Sequence, residues 1–183
     1  MTTLLHLEPH SAPVTHVTSR IIFTIVVLAV IGLAIWGMRR AWLGKAKKFS
    51  HLPAPVTSVP ANSVAVTDEF ESRFAGSTVS GQWLNRITVH ALGTPRGVVA
   101  SVHSDGIFIK DDADFSLWLP ESDLTAVRAG RGIAGDVVEP EGMVILTWNL
   151  GEQSVDTGLR VNRNSDHEEF LKAARELVNG VSA

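Results

Sequence analysis

The sequence predicts a two-part chain: one apolar N-terminal helix, then a mainly-β antiparallel domain closed by a single C-terminal helix. Three observations predict it. Ile21–Met38 reads IIFTIVVLAVIGLAIWGM without a charge. From Phe70 onward, short runs alternate apolar and polar residues, with turn residues between them. Near the C-terminus the period changes to that of an amphipathic helix.

The apolar run covers about 27 Å as a helix, close to the roughly 30 Å hydrocarbon layer of a bilayer. A buried core helix of this length would carry a polar face, and this one carries none. A cleaved signal peptide would end in small residues before its cleavage site. This run ends in Trp36-Gly37-Met38-Arg39-Arg40, so an uncleaved anchor is expected. Trp36 and Trp42 suit the interfacial belt where indoles collect. No ionisable residue within the run marks a substrate path.

Net charge is −3 over 183 residues, but the average conceals a separation. Residues 1–38 balance to zero, and Arg39, Arg40, Lys45, Lys47 and Lys48 make residues 39–48 +5. The remainder is −8. The basic flank predicts an N-terminus outside and residues 39–183 in the cytoplasm. Those five cations also form the expected contact with anionic lipid, worth about 1 kcal/mol each near the surface. An acidic distal domain opposes nucleic-acid binding. Cysteine is absent, which excludes disulfides, thiolate metal sites and thiol nucleophiles.

The expected organisation is a short outer segment (1–20), the membrane helix (21–38), the basic segment (39–48), a Pro-rich linker (49–65) and the β domain (66–183). Pro53, Pro55 and Pro60 favour extended backbone, so the linker reads as a semi-rigid spacer lifting the domain off the bilayer. Beyond it, period-two alternation predicts strands around Ile87–Leu92, Val98–His103, Phe115–Pro120 and Val144–Leu150. Ser104-Asp105-Gly106 is a hairpin signal, and Gly93–Gly97 and Leu150–Glu152 are further expected connections. The total is about seven strands in a barrel or sandwich. Ser165 with Glu168 forms a capping-box pattern, and Phe170, Leu171, Ala174, Leu177 and Val178 then share one helical face ending near Gly180.

A strand meander with one capping helix resembles the pleckstrin-homology-like (PH-like) fold. More narrowly, the chain is similar to actinobacterial PH-like membrane proteins often labelled "export or membrane protein" or transporter. The resemblance lies in Arg128-Ala129-Gly130-Arg131-Gly132-Ile133-Ala134-Gly135, Val138-Glu139-Pro140, Leu146-Thr147-Trp148 and Asp156-Thr157-Gly158-Leu159-Arg160. It implies a membrane protein with a PH-like domain and brings no reaction with it.

Among candidate sites, Gly130, Gly132 and Gly135 match the glycines of a dinucleotide loop. Pro140 and Gly142 follow too soon for the helix such a loop requires, so a flexible connection is expected, with Arg128 and Arg131 making it the candidate contact for a partner or anion. Arg160 is a third cation that would serve an anion pocket. Asp111, Asp112 and Asp114 read as a solvated turn, because a calcium loop needs a longer ligand set. His6, His10 and His16 have metal-binding residue types, but Pro9 and Pro13 oppose the helix that would align them. His90 and His103 have Ser and Asp nearby without a nucleophile-elbow motif, so they read as structural.

No catalytic residue, cofactor or metal is expected. The expected function is a non-enzymatic, membrane-anchored module on the cytoplasmic face, an adaptor or accessory subunit holding an unidentified protein partner of a transport or export assembly. A lipid- or anion-sensing domain is the alternative, and an enzyme comes last. One helix encloses no pore, so transport would require partners. A reporter fused after Ala183 is expected to be active only if it functions in the cytoplasm; activity of an exclusively extracytoplasmic reporter would reverse the assigned direction.

Overall fold

The computed structural model describes the backbone of residues 17–180, and their side chains except those of Val17 and residues 41–48. The three N-terminal histidines lie outside the described residues, as do the side chains of Trp42, Lys45, Lys47 and Lys48. The chain divides into two units, Met1–Gly44 and Lys45–Ala183.

Helix α1 runs over Val17–Lys48. Its stretch Thr18–Arg40 is 23 residues, long and apolar enough to cross a membrane, and its side chains are exposed. Arg40 places its guanidinium 5.7 Å from the centre of the Trp36 ring, a cation–π contact at the end of the apolar run.

The second unit is built on a seven-stranded antiparallel sheet. Its strands are β1 (Phe70–Val79), β2 (Arg96–His103), β3 (Gly106–Lys110), β4 (Ser116–Pro120), β5 (Leu124–Gly130), β8 (Met143–Leu150) and β9 (Gln153–Val161). The small strands β6 (Gly132–Ile133) and β7 (Asp136–Val137) form a separate hairpin. Spatial order is β4-β3-β2-β1-β9-β8-β5, so the chain meanders outward from β1 and returns beside it. Helix α2 (Asn164–Gly180) packs on β5, β2 and β9. The hairpin predicted at Ser104–Gly106 joins β2 to β3, and the one at Leu150–Glu152 joins β8 to β9.

β1 is central and changes neighbours. Phe70–Phe74 pair with β2, whereas Ser72–Val79 pair with β9, with a register shift between Phe74 and Gly76. Gly76 has φ +117°, a conformation that L side chains rarely adopt. Beyond Phe74 the β2-facing edge of β1 would be left unpaired. The connection to β2 fills it: Ser77 N–H donates to Leu92 O (2.7 Å), Ile87 N–H to Ser77 O (2.9 Å) and Val79 N–H to Asn85 O (3.1 Å).

This corrects the strand expected over Ile87–Leu92. Ile87 and Leu92 are fully buried, as alternation implied, but His90 and Ala91 have φ near +55° and turn the chain back. Gly93–Gly97 is therefore not a hairpin between two strands but the end of this connection and the start of β2.

The spacer is also corrected. Phe49 and Leu52 are buried in the main core, and Trp118 N–H donates to Val56 O (2.8 Å). Farther along, Val66 N–H donates to Val102 O (2.9 Å). The segment turns at Phe49–Leu52 and again at Pro60–Ser63, and its apolar residues lie on the domain rather than standing off from it. Only residues 39–48 separate the apolar run from the first buried residue of the domain.

The main core draws on every large strand and on α2. Phe74, Ile107, Ile109, Leu117, Leu119, Leu146 and Leu159 are fully buried, and Phe170 of α2 meets Phe70 edge-on at 6.0 Å between ring centres. The predicted stripe holds, with Phe170 and Ala174 buried and Leu171, Leu177 and Val178 packed at its margin. The capping box is not formed. The helix begins at Asn164, and Ser165 Oγ donates to Asp166 Oδ1 instead. Phe170→Ala is expected to lower stability by about 3–5 kcal/mol, seen as a clear fall in melting temperature. Unchanged melting would mean that α2 does not close the core.

Candidate functional site

The glycine-rich run singled out in the sequence forms a tight hairpin, not a flexible loop. Ile133 pairs with Asp136 across Ala134-Gly135, whose φ values of 55° and 80° are those of a two-residue turn suited to right-twisted strands. Ile133 and Ala134 are buried with Ala75, Met143 and Ile145 in a second, smaller core. A Cβ on Gly158 would stand 2.1 Å from Ile133 Cγ2, so only glycine lets the hairpin settle on β9. Ala134 is clamped by its backbone: its N–H donates to Trp83 O (2.7 Å), and its carbonyl accepts from Arg86. The spacing that imitates a dinucleotide loop thus serves a turn and close packing.

The three arginines of the hypothetical anion pocket do not converge. Arg128 donates to Asp156 (3.1 Å), whose side chain is 7% exposed. Asp156 also accepts from Ser80 Oγ (3.0 Å) and Thr147 Oγ1 (2.7 Å), tying β5, β8 and the β1–β2 connection to β9. Arg160 pairs with Glu139 at 3.2 Å. Its charge is a secondary cause of the lowered Glu139 pKa, after the residue's own backbone N–H. Arg131 is exposed, and its described contact is a backbone one, its carbonyl accepting from Val138 N–H.

Most other cations of the domain are likewise engaged. Arg73 meets Asp136, Arg96 meets Asp111 and Lys110 meets Glu69. Arg86 donates to the carbonyls of Gly93 and Ala134, and Lys172 lies 3.9 Å from Glu176. Exposed apolar side chains are found at Trp83, Leu84 and Val137, on the two connections that meet at Ala134.

Clefts open on the surface of the domain. One, of about 430 Å³, lies between Pro55, His90, Arg96 and the β3–β4 turn 111–115. Arg96 closes one wall: it stacks 4.4 Å from the Phe115 ring centre and donates to Asp111 (3.2 Å). Asp111 also accepts from the N–H groups of Phe115 and Ala113, both at 2.9 Å. The Phe115 N–H is the largest influence on its carboxyl. Together with Ala113 and Arg96 it outweighs partial burial and holds the group below the ordinary carboxylate range. Asp111 is the organiser of the turn, while Asp112 and Asp114 are exposed, as a solvated turn requires. Another cleft, about 350 Å³, lies beside α2 between Ala129, the loop Glu139–Gly142, His167 and Leu171.

One arrangement was not foreseen in the sequence. His103 has Ser101 Oγ 3.2 Å from Nε2 and Ser63 Oγ 3.3 Å from Nδ1, and Ser63 donates onward to Asp105. The residue types are those of nucleophilic catalysis, but Ser101 is 4% exposed, and the His103 ring meets Phe108 and Trp118 edge-on. The chain of hydrogen bonds fastens residues 63–66 to β2 and β3. Ser63 lies 40 residues from His103, so only the fold brings the pair together.

Strand order, the helix after the last strand and the packing of both ends of the sheet around one core now stand beside a direct comparison. A family model described as bacterial PH domain-like matches residues 51–175. The chain belongs to the bacterial PH domain-like family. Among curated proteins no match was found. The match starts at residue 51, in line with Leu52 lying in the PH-like core and not in a spacer.

The lowered Asp111 pKa gives a signed expectation. Its stabilising contribution is complete above the ordinary aspartate range, about 3.9, and is lost as pH falls through the lower folded value. Asp111→Asn should therefore flatten the acid side of the melting-temperature profile below about pH 4. Parallel profiles for the variant and the natural chain would contradict this role.

Proposed function

We propose that the chain is anchored by α1 and acts by binding, holding a protein partner at the cytoplasmic surface of the cell membrane as an accessory subunit of a transport or export assembly. The observation that carries this reading is the engagement of the domain's cations. Of ten basic side chains in residues 49–183, seven already contact a carboxylate or backbone carbonyl. A headgroup or phosphate site needs several free donors converging on one point. Arg128, Arg131 and Arg160 offer no such point, because two of them are bound elsewhere.

The anchor supports the same reading. A domain whose core begins at Phe49, eleven residues beyond the end of the apolar run at Met38, keeps whatever it binds concentrated at the membrane. Arg39, Arg40, Lys45, Lys47 and Lys48 then set direction and attract anionic lipid close to the helix end. The alternative, a lipid- or anion-sensing domain, rests on Arg131 alone among the original candidates.

The full chain, extracted in mild detergent after cross-linking in membranes, should bring with it one membrane protein in stoichiometric amount. It should bind nanodiscs of neutral and anionic lipid with no difference once the five cations of residues 39–48 are replaced by glutamine. Purification without any companion, with anionic-lipid preference retained by that variant, would favour sensing instead.

A further inference from the structure

Elsewhere in this sheet, the strand edges receive backbone contacts from other segments. The vacated half of β1 is filled by the β1–β2 connection, through Ser77, Val79 and Ile87. The outer edge of β4 receives Val56 opposite Trp118, and the strand ends at Pro120. β5 is the exception. It stands last in the strand order, pairs with β8 on one side, and has no described backbone partner on the other. Thr125, Ala126 and Arg128 are exposed along it.

An open edge presents a row of unpaired N–H and C=O groups, and proteins usually blunt such edges with proline, lysine or a covering segment. β5 contains neither proline nor lysine. Its one charge, Arg128, is turned to Asp156, and its single irregularity lies at the start, between Leu124 and Ala126. The final turn of the strand opens at Ala129 into the 350 Å³ cleft beside α2. Leu171 and Val161 supply apolar lining there, and Glu139, Glu141 and Glu168 supply carboxylates. Glu139 is held by Arg160, whereas Glu141 and Glu168 make no ion pair among the described residues. Arg175 also lines the cleft, leaving the carboxylates in excess within a domain that is −8 overall.

We propose that the outer edge of β5 takes an extended segment of the partner protein as an added strand, with a basic side chain of that segment seated between Glu141 and Glu168. This rests on the reading of the chain as a protein-binding module. Main-chain hydrogen bonds to β5 supply the attachment, and the acidic cleft selects which segments are held. A second copy of this chain is the competing occupant. It would pair β5 with β5, which carries one arginine and no other basic residue.

The test is amide hydrogen exchange on the full chain in neutral-lipid nanodiscs. Two probes are used: an eight-residue peptide of alternating threonine and valine with lysine at each end, and its counterpart with glutamate at each end. The lysine peptide should slow exchange over residues 125–129 at least tenfold, and the glutamate peptide should slow it far less. Glu168→Lys, an exposed change on α2, should narrow or invert that difference while leaving β8 and β9 protected. No slowing by either peptide would overturn the proposal, and so would slowing that ignores both peptide charge and Glu168→Lys. Protection that exists without peptide and deepens with protein concentration would assign the edge to a second copy, also overturning it. A membrane protein still recovered with the full chain while both peptides leave β5 unaffected would reject the edge and leave the adaptor reading standing. Failure to recover any partner, with the lysine peptide protecting β5, would support the edge and reject the accessory-subunit reading.

Discussion

β1 pairs with β2 along its first half and with β9 along most of its length, and the transition falls at Ala75-Gly76. Buried peptide groups must find partners, so every backbone edge exposed by this transition has to be met by some other part of the chain. That requirement accounts for much of the domain's irregular structure. The β1–β2 connection folds back to bond with Ser77 and Val79. Ala75, turned to the opposite face from the main core, is covered by the β6–β7 hairpin. The N-terminal segment lies along β4 and β2 through Val56 and Val66. Helix α2 then closes the main core with Phe170.

How much of this can be read from residues alone depends on whether the signal is local. Ile21–Met38 needs only its own composition to be recognised as an apolar helix. β2, β3, β8 and β9 have alternating side chains and short turns, and α2 has a stripe whose period is unambiguous. Ile87–Leu92 shows the same alternation as a strand, because two inward apolar residues suffice to produce it. What bends it back is the left-handed pair His90-Ala91, and neither residue advertises that conformation. Phe49–Asn62 misleads differently. Its prolines suggest a spacer, but its destination is decided by Phe49 and Leu52 finding space in a core assembled from distant strands. Gly130–Gly135 has the residue spacing of a nucleotide loop, yet the partners that explain it, Gly158, Ile145 and Trp83, are remote in sequence.

The same distinction separates legible from hidden parts of the site. Acidic charge in the domain and basic charge beside the apolar helix are visible as composition. Pairing is not. Arg128 and Arg160 are available cations in the sequence and committed ones in the fold, held by Asp156 and Glu139. Once those pairs form, Arg128 and Arg160 are no longer free donors for an anion. The open edge of β5 is invisible in its own residues, since it follows from strand order and from the absence, among the described residues, of a backbone partner on the side away from β8.

Among the described residues, the other strand edges receive backbone contacts and the outer edge of β5 receives none. Site-resolved amide exchange of the full chain, with no partner added, tests it directly. Ser77, Val79 and Ile87 should exchange as slowly as neighbouring strand amides, because the β1–β2 connection bonds them, while the outward-facing amides of β5 should exchange far faster than those it shares with β8. Uniformly slow exchange across β5 at low protein concentration, or rapid exchange at Ser77 and Ile87, would contradict the account.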